Sequence, residues 1–287
     1  MDPSRPAPPR LSEALPDLAA WSAHFLAAPL PVLDDTALRL EELRAVEDED
    51  ADAVDAHLIA DAVAHDPLMT LKLLAHVAGV RSARSSGDPQ TATSALVLLG
   101  IGPFFRAFGA QPTVAVQLAG EPEAWRGFEA VLKRAHRAAA FALGFAVHRM
   151  DPDAAVLHLA ALLHDFAELL LWLHAPALAL RIARAQRADA GLRSAAAQRR
   201  VLNIELAELQ QALLRAWRLP QMLVRIEDDR HADTPQVKNV LLAVRVARHS
   251  ALGWDNPALD DDVRDIAALL NLGETPARTL LRQIDGA

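Results

Sequence analysis

Residues 160–171 read Ala160-Ala161-Leu162-Leu163-His164-Asp165-Phe166-Ala167-Glu168-Leu169-Leu170-Leu171. Apolar residues flank an adjacent His and Asp on both sides, and no turn residue follows until Pro176. A helix apolar around its whole circumference belongs in a protein interior. An ionised carboxylate there is costly unless a metal, a cation or several donors meet it. His164-Asp165 is therefore either a metal half-site or a buried polar pair whose partners lie elsewhere in the chain. The pattern predicts one helix running through the pair, at the centre of an all-helical protein.

Composition supports that class. The 287 residues are 52% hydrophobic, enough to bury a sizeable core as one large domain or two lobes. Ala and Leu dominate, only 12 Gly are present, and long segments repeat at helical spacing. Cysteine is absent, which removes disulfides, thiolate zinc sites and Cys nucleophiles together and suits a reducing compartment. The start, Met1-Asp2-Pro3-Ser4-Arg5-Pro6, lacks the basic-then-apolar pattern of a signal peptide. The most apolar stretch, Leu157 to Leu173, carries His158, His164, Asp165 and Glu168 and falls short of the roughly 20 apolar residues that span a bilayer. A soluble cytoplasmic protein with no membrane partner is the expectation. A net charge of −8 argues against a nucleic-acid partner, which requires a basic footprint.

Punctuation along the chain sets the expected organisation. Residues 1–28 form a Pro/Ala-rich extension with a short helix from Leu11 to Leu26, carrying Trp21 and Phe25 and capped by Ser12. An N-terminal helical lobe follows over 29–116. It opens on an acidic stretch between Asp34 and Asp66, in which only Arg39 and Arg44 oppose eleven carboxylates before the Asp66-Pro67 helix start. Arg81 to Gln90 reads as a loop, and Thr93-Ser94 starts an apolar run that ends at Gly100. A second lobe spans 122–250. Its opening helix, Glu123 to Val147, puts His136 in the apolar stripe with Trp125, Phe128, Leu132 and Ala139. Helices at Ala177 to Gln186 and Ser194 to Trp217 follow, the latter bent or interrupted. Residues 251–287 form a helical extension packed on this second lobe.

These stretches resemble the HDOD domain, a degenerate relative of the HD metal-dependent phosphohydrolases. Leu30-Pro31-Val32-Leu33 resembles the family's opening. Asp66-Pro67-Leu68-Met69-Thr70 with Lys72-Leu73-Leu74 resembles its DPxLT…LL segment, and Ala95 to Gly100 its AxxxLG segment. Ala160 to Asp165 is similar to the LLHD core, and Ala216-Trp217-Arg218-Leu219-Pro220 to the W-x-LP helix end. The ordered set covers residues 29–250 and implies an all-α, two-lobed helical fold.

The resemblance also implies where metal ligands would stand, because an active HD site holds divalent ions with several His and Asp side chains. His136 stands where the first ligand His falls, and His164 and Asp165 match the HD pair. The lysine of HDxxK is here Glu168, and the glycine of HDIG is Ala167. A downstream ligand His becomes Leu206. The His-His pair after the Leu219-Pro220 turn becomes Arg230-His231, and the closing Asp falls at Arg248. Two guanidinium groups thus stand where a dication would sit, and a guanidinium can bridge a carboxylate without metal. The degenerate site is therefore expected to comprise His136, His164, Asp165, Arg230, His231 and Arg248. In it Asp165 is held by Arg248 or Arg230, with one of the histidines nearby.

Other catalytic signatures are missing, with no P-loop, no Gly-x-Ser-x-Gly elbow and no dinucleotide fingerprint. Arg181, Arg184 and Arg187 open the densest cationic patch and are candidates for holding an anion, beside the plainer reading of a solvated helix face. The expectation is a non-catalytic HDOD-type module of bacterial signal transduction, without cofactor or metal. It would recognise a signalling protein, a small molecule or a nucleotide. The alternative is a residual HD phosphohydrolase in which His136, His164, Asp165 and His231 still hold one metal.

Overall fold

The computed structural model describes residues 10–50, 53–80, 88–189, 191–228 and 233–286. Among them the chain forms seventeen α-helices and no strand. In order these are α1 (Leu18–Ala27), α2 (Asp34–Glu49), α3 (Ala56–Val63), α4 (Pro67–Val80), α5 (Ala92–Leu99) and α6 (Ile101–Ala107). Then come α7 (Val114–Gln117), α8 (Pro122–His148), α9 (Ala154–Leu163), α10 (Phe166–His174), α11 (Pro176–Ala188) and α12 (Ser194–Leu202). The last are α13 (Leu206–Ala216), α14 (Gln221–Ile226), α15 (Pro235–His249), α16 (Ala258–Leu270) and α17 (Glu274–Asp285). The all-α class is as the sequence predicts.

Several boundaries follow directly from local chemistry. Asp66 accepts hydrogen bonds from the Leu68 and Met69 amides, capping α4 with Pro67 at its first position, and it also accepts from the Leu33 amide. The predicted stop at Gly100 is met by a left-handed φ of +83°. The expected interruption between Ser194 and Trp217 is a left-handed turn at Asn203, followed by a Glu205–Glu208 capping box that starts α13.

Three local expectations are corrected. The first helix is capped by Asp17, whose side chain accepts from the Ala20 amide, rather than by Ser12. Pro16 lacks an N–H to continue a helical ladder, and the Leu11 amide is drawn instead to the His174 carbonyl. The start of α5 lies at Thr91, which makes a reciprocal cap with Ser94, so Thr93 stands inside the helix. Finally, the helix predicted through His164-Asp165 is broken by a turn at those two residues, with α9 before and α10 after.

That break coincides with a change of packing unit. One unit comprises residues 1–129 and 166–220, and the other 130–165 and 221–287. This grouping differs from the consecutive stretches 29–116 and 122–250. In the first unit α1 packs on α13, α10 on α11 and α13, and α3 on α5. Residues 10–28 belong to this core rather than standing apart. Trp21 and Phe25 are fully buried, and Trp21 Nε1 donates to the Leu202 carbonyl at 2.9 Å. A parallel bridge between Val32 and Thr113 ties the α1–α2 connection to the start of α7. In the second unit α15 packs on α9 and α16, α14 packs on α9 and α15, and α17 packs on α16. By length and composition alone, residues 154–174 are apolar enough to cross a membrane, but most of them are buried within the protein.

Candidate functional site: the His164–Asp165 remnant

The site lies wholly within the second unit and is assembled from α8, the α9–α10 turn, the end of α14 and α15. Asp165 is 7% exposed. Its Oδ2 accepts from Arg134 Nε at 2.8 Å, and its Oδ1 from Arg248 Nη2 at 2.5 Å. Each carboxylate oxygen therefore faces its own guanidinium. Burial pushes the Asp165 carboxyl up, but Arg248, Arg134 and His164 outweigh it and hold the group far below the ordinary carboxylate range. His164 turns to a different partner, with Nδ1 3.0 Å from Oε2 of the buried Glu227. Burial opposes the imidazolium, yet the hydrogen bond and charge of Glu227, aided by Asp165, raise the His164 pKa above its usual value. A turn in place of a continuous helix lets these consecutive side chains reach separate partners.

A further set of ion pairs fixes the arginine-bearing elements. Arg245 on α15 forks onto the fully buried Asp262 of α16, at 3.0 and 2.7 Å, and also reaches Asp265. The other Asp262 oxygen, Oδ2, lies 2.6 Å from His249 Nδ1. Arg137 on α8 makes a bidentate pair with Asp285 of α17 at 2.7 and 2.9 Å, donates to Ser250 Oγ and to the Ala247 carbonyl, and lies over the Phe141 ring. These contacts build residues 251–286 into the framework that carries Arg248.

The expected site residues separate into three groups. His164, Asp165 and Arg248 converge. His136 is half-buried on α8, two residues after the arginine that does reach Asp165. Arg230 and His231 lie outside the described residues. Leu206, at the position of a lost ligand His, opens α13 and is buried in the first unit, while Glu168 lies on α10. On α11, Arg184 pairs with Glu123 at 3.1 Å and Arg187 donates to the Ala183 carbonyl, leaving Arg181 exposed beside them.

Two partners of the pair escape the sequence reading, Arg134 and Glu227. Arg134 is flanked along the buried stripe of α8 by Val131 and Ala138, so a charge within an apolar face is its signal. Glu227 directly follows the buried Leu223 and Ile226, and an acidic residue continuing an apolar helix end is the corresponding signal.

This donor set does not fit the divalent ions of an HD phosphohydrolase. Both Asp165 oxygens meet guanidinium groups, so the carboxylate that would ligate a metal is already paired with two cations, and His164 Nδ1 is turned to Glu227. Among the described residues, no group of three or more His, Asp or Glu side chains is placed to hold a metal ion.

Comparison with known proteins fixes the family. The HDOD domain profile matches residues 30–232. The chain belongs to the HDOD family. Among solved structures, this HDOD protein is similar to the MmoQ response regulator of Methylococcus capsulatus, at 21% identity over 89% of this chain and 99% of that one, with a TM-score of 0.64. It is also similar to a virulence factor of Campylobacter jejuni, at 16% identity over 94% of this chain and 99% of that one, with a TM-score of 0.62. At these identities the likeness is one of fold. No curated protein matches the chain.

Proposed function

We propose that this HDOD protein is a non-catalytic module of bacterial signal transduction, cytoplasmic in location, which recognises a signalling protein or a small ligand. The carrying observation is the double guanidinium clamp on Asp165. The residue that an HD hydrolase spends on its metal is here an internal counter-ion that locks α8, α15 and the α9–α10 turn together. A polar centre used this way gives a fixed scaffold rather than a water-activating site. Its surfaces are then free to carry recognition, as in other folds whose function lives in grafted sites.

The test is elemental analysis of purified protein combined with a phosphatase and phosphodiesterase screen in Mg²⁺, Mn²⁺ and Zn²⁺. The expected outcome is substoichiometric metal and no turnover above buffer. A metal-dependent turnover that His164→Ala abolishes would overturn the proposal in favour of a residual phosphohydrolase. Affinity capture from the native host, compared between the wild type and Arg248→Ala, then searches for the partner on a protein whose scaffold has been loosened.

A further inference from the structure

Away from the HD remnant, two imidazoles meet inside the first unit. His24 lies in the last turn of α1, and His174 is the final residue of α10. Their ring centroids are 6.1 Å apart with planes at 83°, and the Phe25 ring stands edge-on to both. His174 is 3% exposed, and the Nε2 of each ring is buried without a hydrogen-bond partner. The His174 ring bonds to the Pro29 carbonyl, and because Nε2 is unpaired the donor is Nδ1–H. The neutral ring therefore carries its lone pair on Nε2, pointing into protein.

The same place is where the chain's early segment is tied down. The Leu11 amide donates to the His174 carbonyl at 2.8 Å, and Gln117 Nε2 donates to the Leu173 carbonyl at 3.1 Å. Both acceptors belong to the last turn of α10, whose carbonyls have no partner within the helix. Arg10 pairs with Glu121 at 2.9 Å and also donates to the Gln117 carbonyl. Residues 10–28 thus form a strap across the end of α10, anchored at Arg10 and Leu11 and closed by Trp21, His24 and Phe25.

The charged groups acting on His174 are His24, from α1, and Arg10, from the start of the strap. Both oppose a second positive charge. The Pro29 carbonyl, its one favourable partner, is already used by the neutral ring. A proton on either imidazole therefore creates a buried cation whose Nε2–H has no acceptor, next to another imidazole and a guanidinium. Moving the strap away lets water reach both rings.

We propose that residues 10–28 are an acid-sensitive strap, held shut by the neutral His24–His174 pair and released when either ring takes a proton. Burial lowers both pKa values, that of His174 to about 4. A ring freed by opening returns towards about 6.5. The closed strap is consequently most stable above that value and loses stability as the pH falls towards about 4.

Hydrogen exchange with mass spectrometry on the full chain tests this, with protection corrected for intrinsic exchange rates. Protection of residues 11–28 should fall about tenfold between pH 7.5 and 5.5, while that of α15 and α16 does not fall. His174→Asn keeps a donor for Pro29 and cannot titrate, so its strap should lose most of this dependence, keeping only the part that His24 carries. Equal wild-type protection at the two pH values, or an undiminished fall in His174→Asn, would overturn the proposal. An NMR titration of wild-type His174 gives a reading that does not depend on the variant folding. A midpoint below pH 5 supports the strap, and one near 6.5 overturns it.

Discussion

Asp165 and His164 show how neighbouring charged residues in one turn acquire opposite dependences on pH. The Asp165 pKa is depressed by its two arginines, so its contribution to stability is present above about pH 4 and is lost on acidification. The His164 pKa is raised by Glu227, so its contribution is present below about 6.5 and is lost as pH climbs through the raised value. Glu227→Gln should drop the His164 pKa below its ordinary value, because burial remains and the counter-charge is gone. An NMR titration of His164 reads this, and an unchanged midpoint would show that Glu227 is not the cause. The two clamps on Asp165 should differ in weight. Arg134 is 18% exposed and Arg248 45% exposed, so solvent screens the second pair more. Arg134→Ala should cost about 3 kcal/mol in urea unfolding and Arg248→Ala about 1 kcal/mol. The reverse order would mean that Arg248 carries the buried charge. At this scale the sequence was legible for Asp165 and Arg248, whose chemistry demanded a partner. Arg134 and Glu227 were not, because a partner's identity depends on which helices meet, and apolar periodicity does not carry that information.

At the scale of the element, the most exacting position is a glycine within α8. A Cβ at Gly127 would stand 2.4 Å from the six-membered edge of the Trp172 indole on α10, a rigid group held in the core of the first unit. Gly127→Ala should destabilise by about 1–2 kcal/mol, overpacking outweighing the gain in helix propensity. Gly79, in α4, faces open space, and Gly79→Ala should be neutral or stabilising by about 0.5 kcal/mol. Thermal melts of the two variants separate local crowding from propensity, and a Gly127→Ala protein as stable as Gly79→Ala would refute the close packing. Element ends were readable wherever a residue's own chemistry sets them, as at Asp66-Pro67 and Gly100. The break at His164-Asp165 was not, because no Gly, Pro or Asn marks it. It falls where His164 and Asp165 meet partners on α8, at the end of α14 and on α15.

For the whole molecule, the two units should respond differently to acid. The second unit keeps its Asp165 pairs well below the ordinary carboxylate range, the stability they supply declining only below about pH 4, and its His164–Glu227 pair strengthens on the way down. The first unit contains the buried His24–His174 pair and begins to weaken below about 6.5. Local protection followed through a pH series should therefore fail first in α1 and last in α15 and α16, and a simultaneous loss would contradict this reading. Class and family were legible because ordered motifs and helical spacing survive over most of the chain. The grouping of elements was not, since it joins residues far apart in sequence.

That grouping bears on synthesis. The chain passes from one unit to the other at residues 129–130, 165–166 and 220–221. Neither unit is a continuous stretch, so on the ribosome the first cannot close until Pro220 has emerged, and the second waits for α17. Until then α9 and the Asp165 carboxylate lack the helices that cover them, since Arg248 is made 83 residues after Asp165. The nascent protein thus carries part of its most apolar segment uncovered for the later part of its translation.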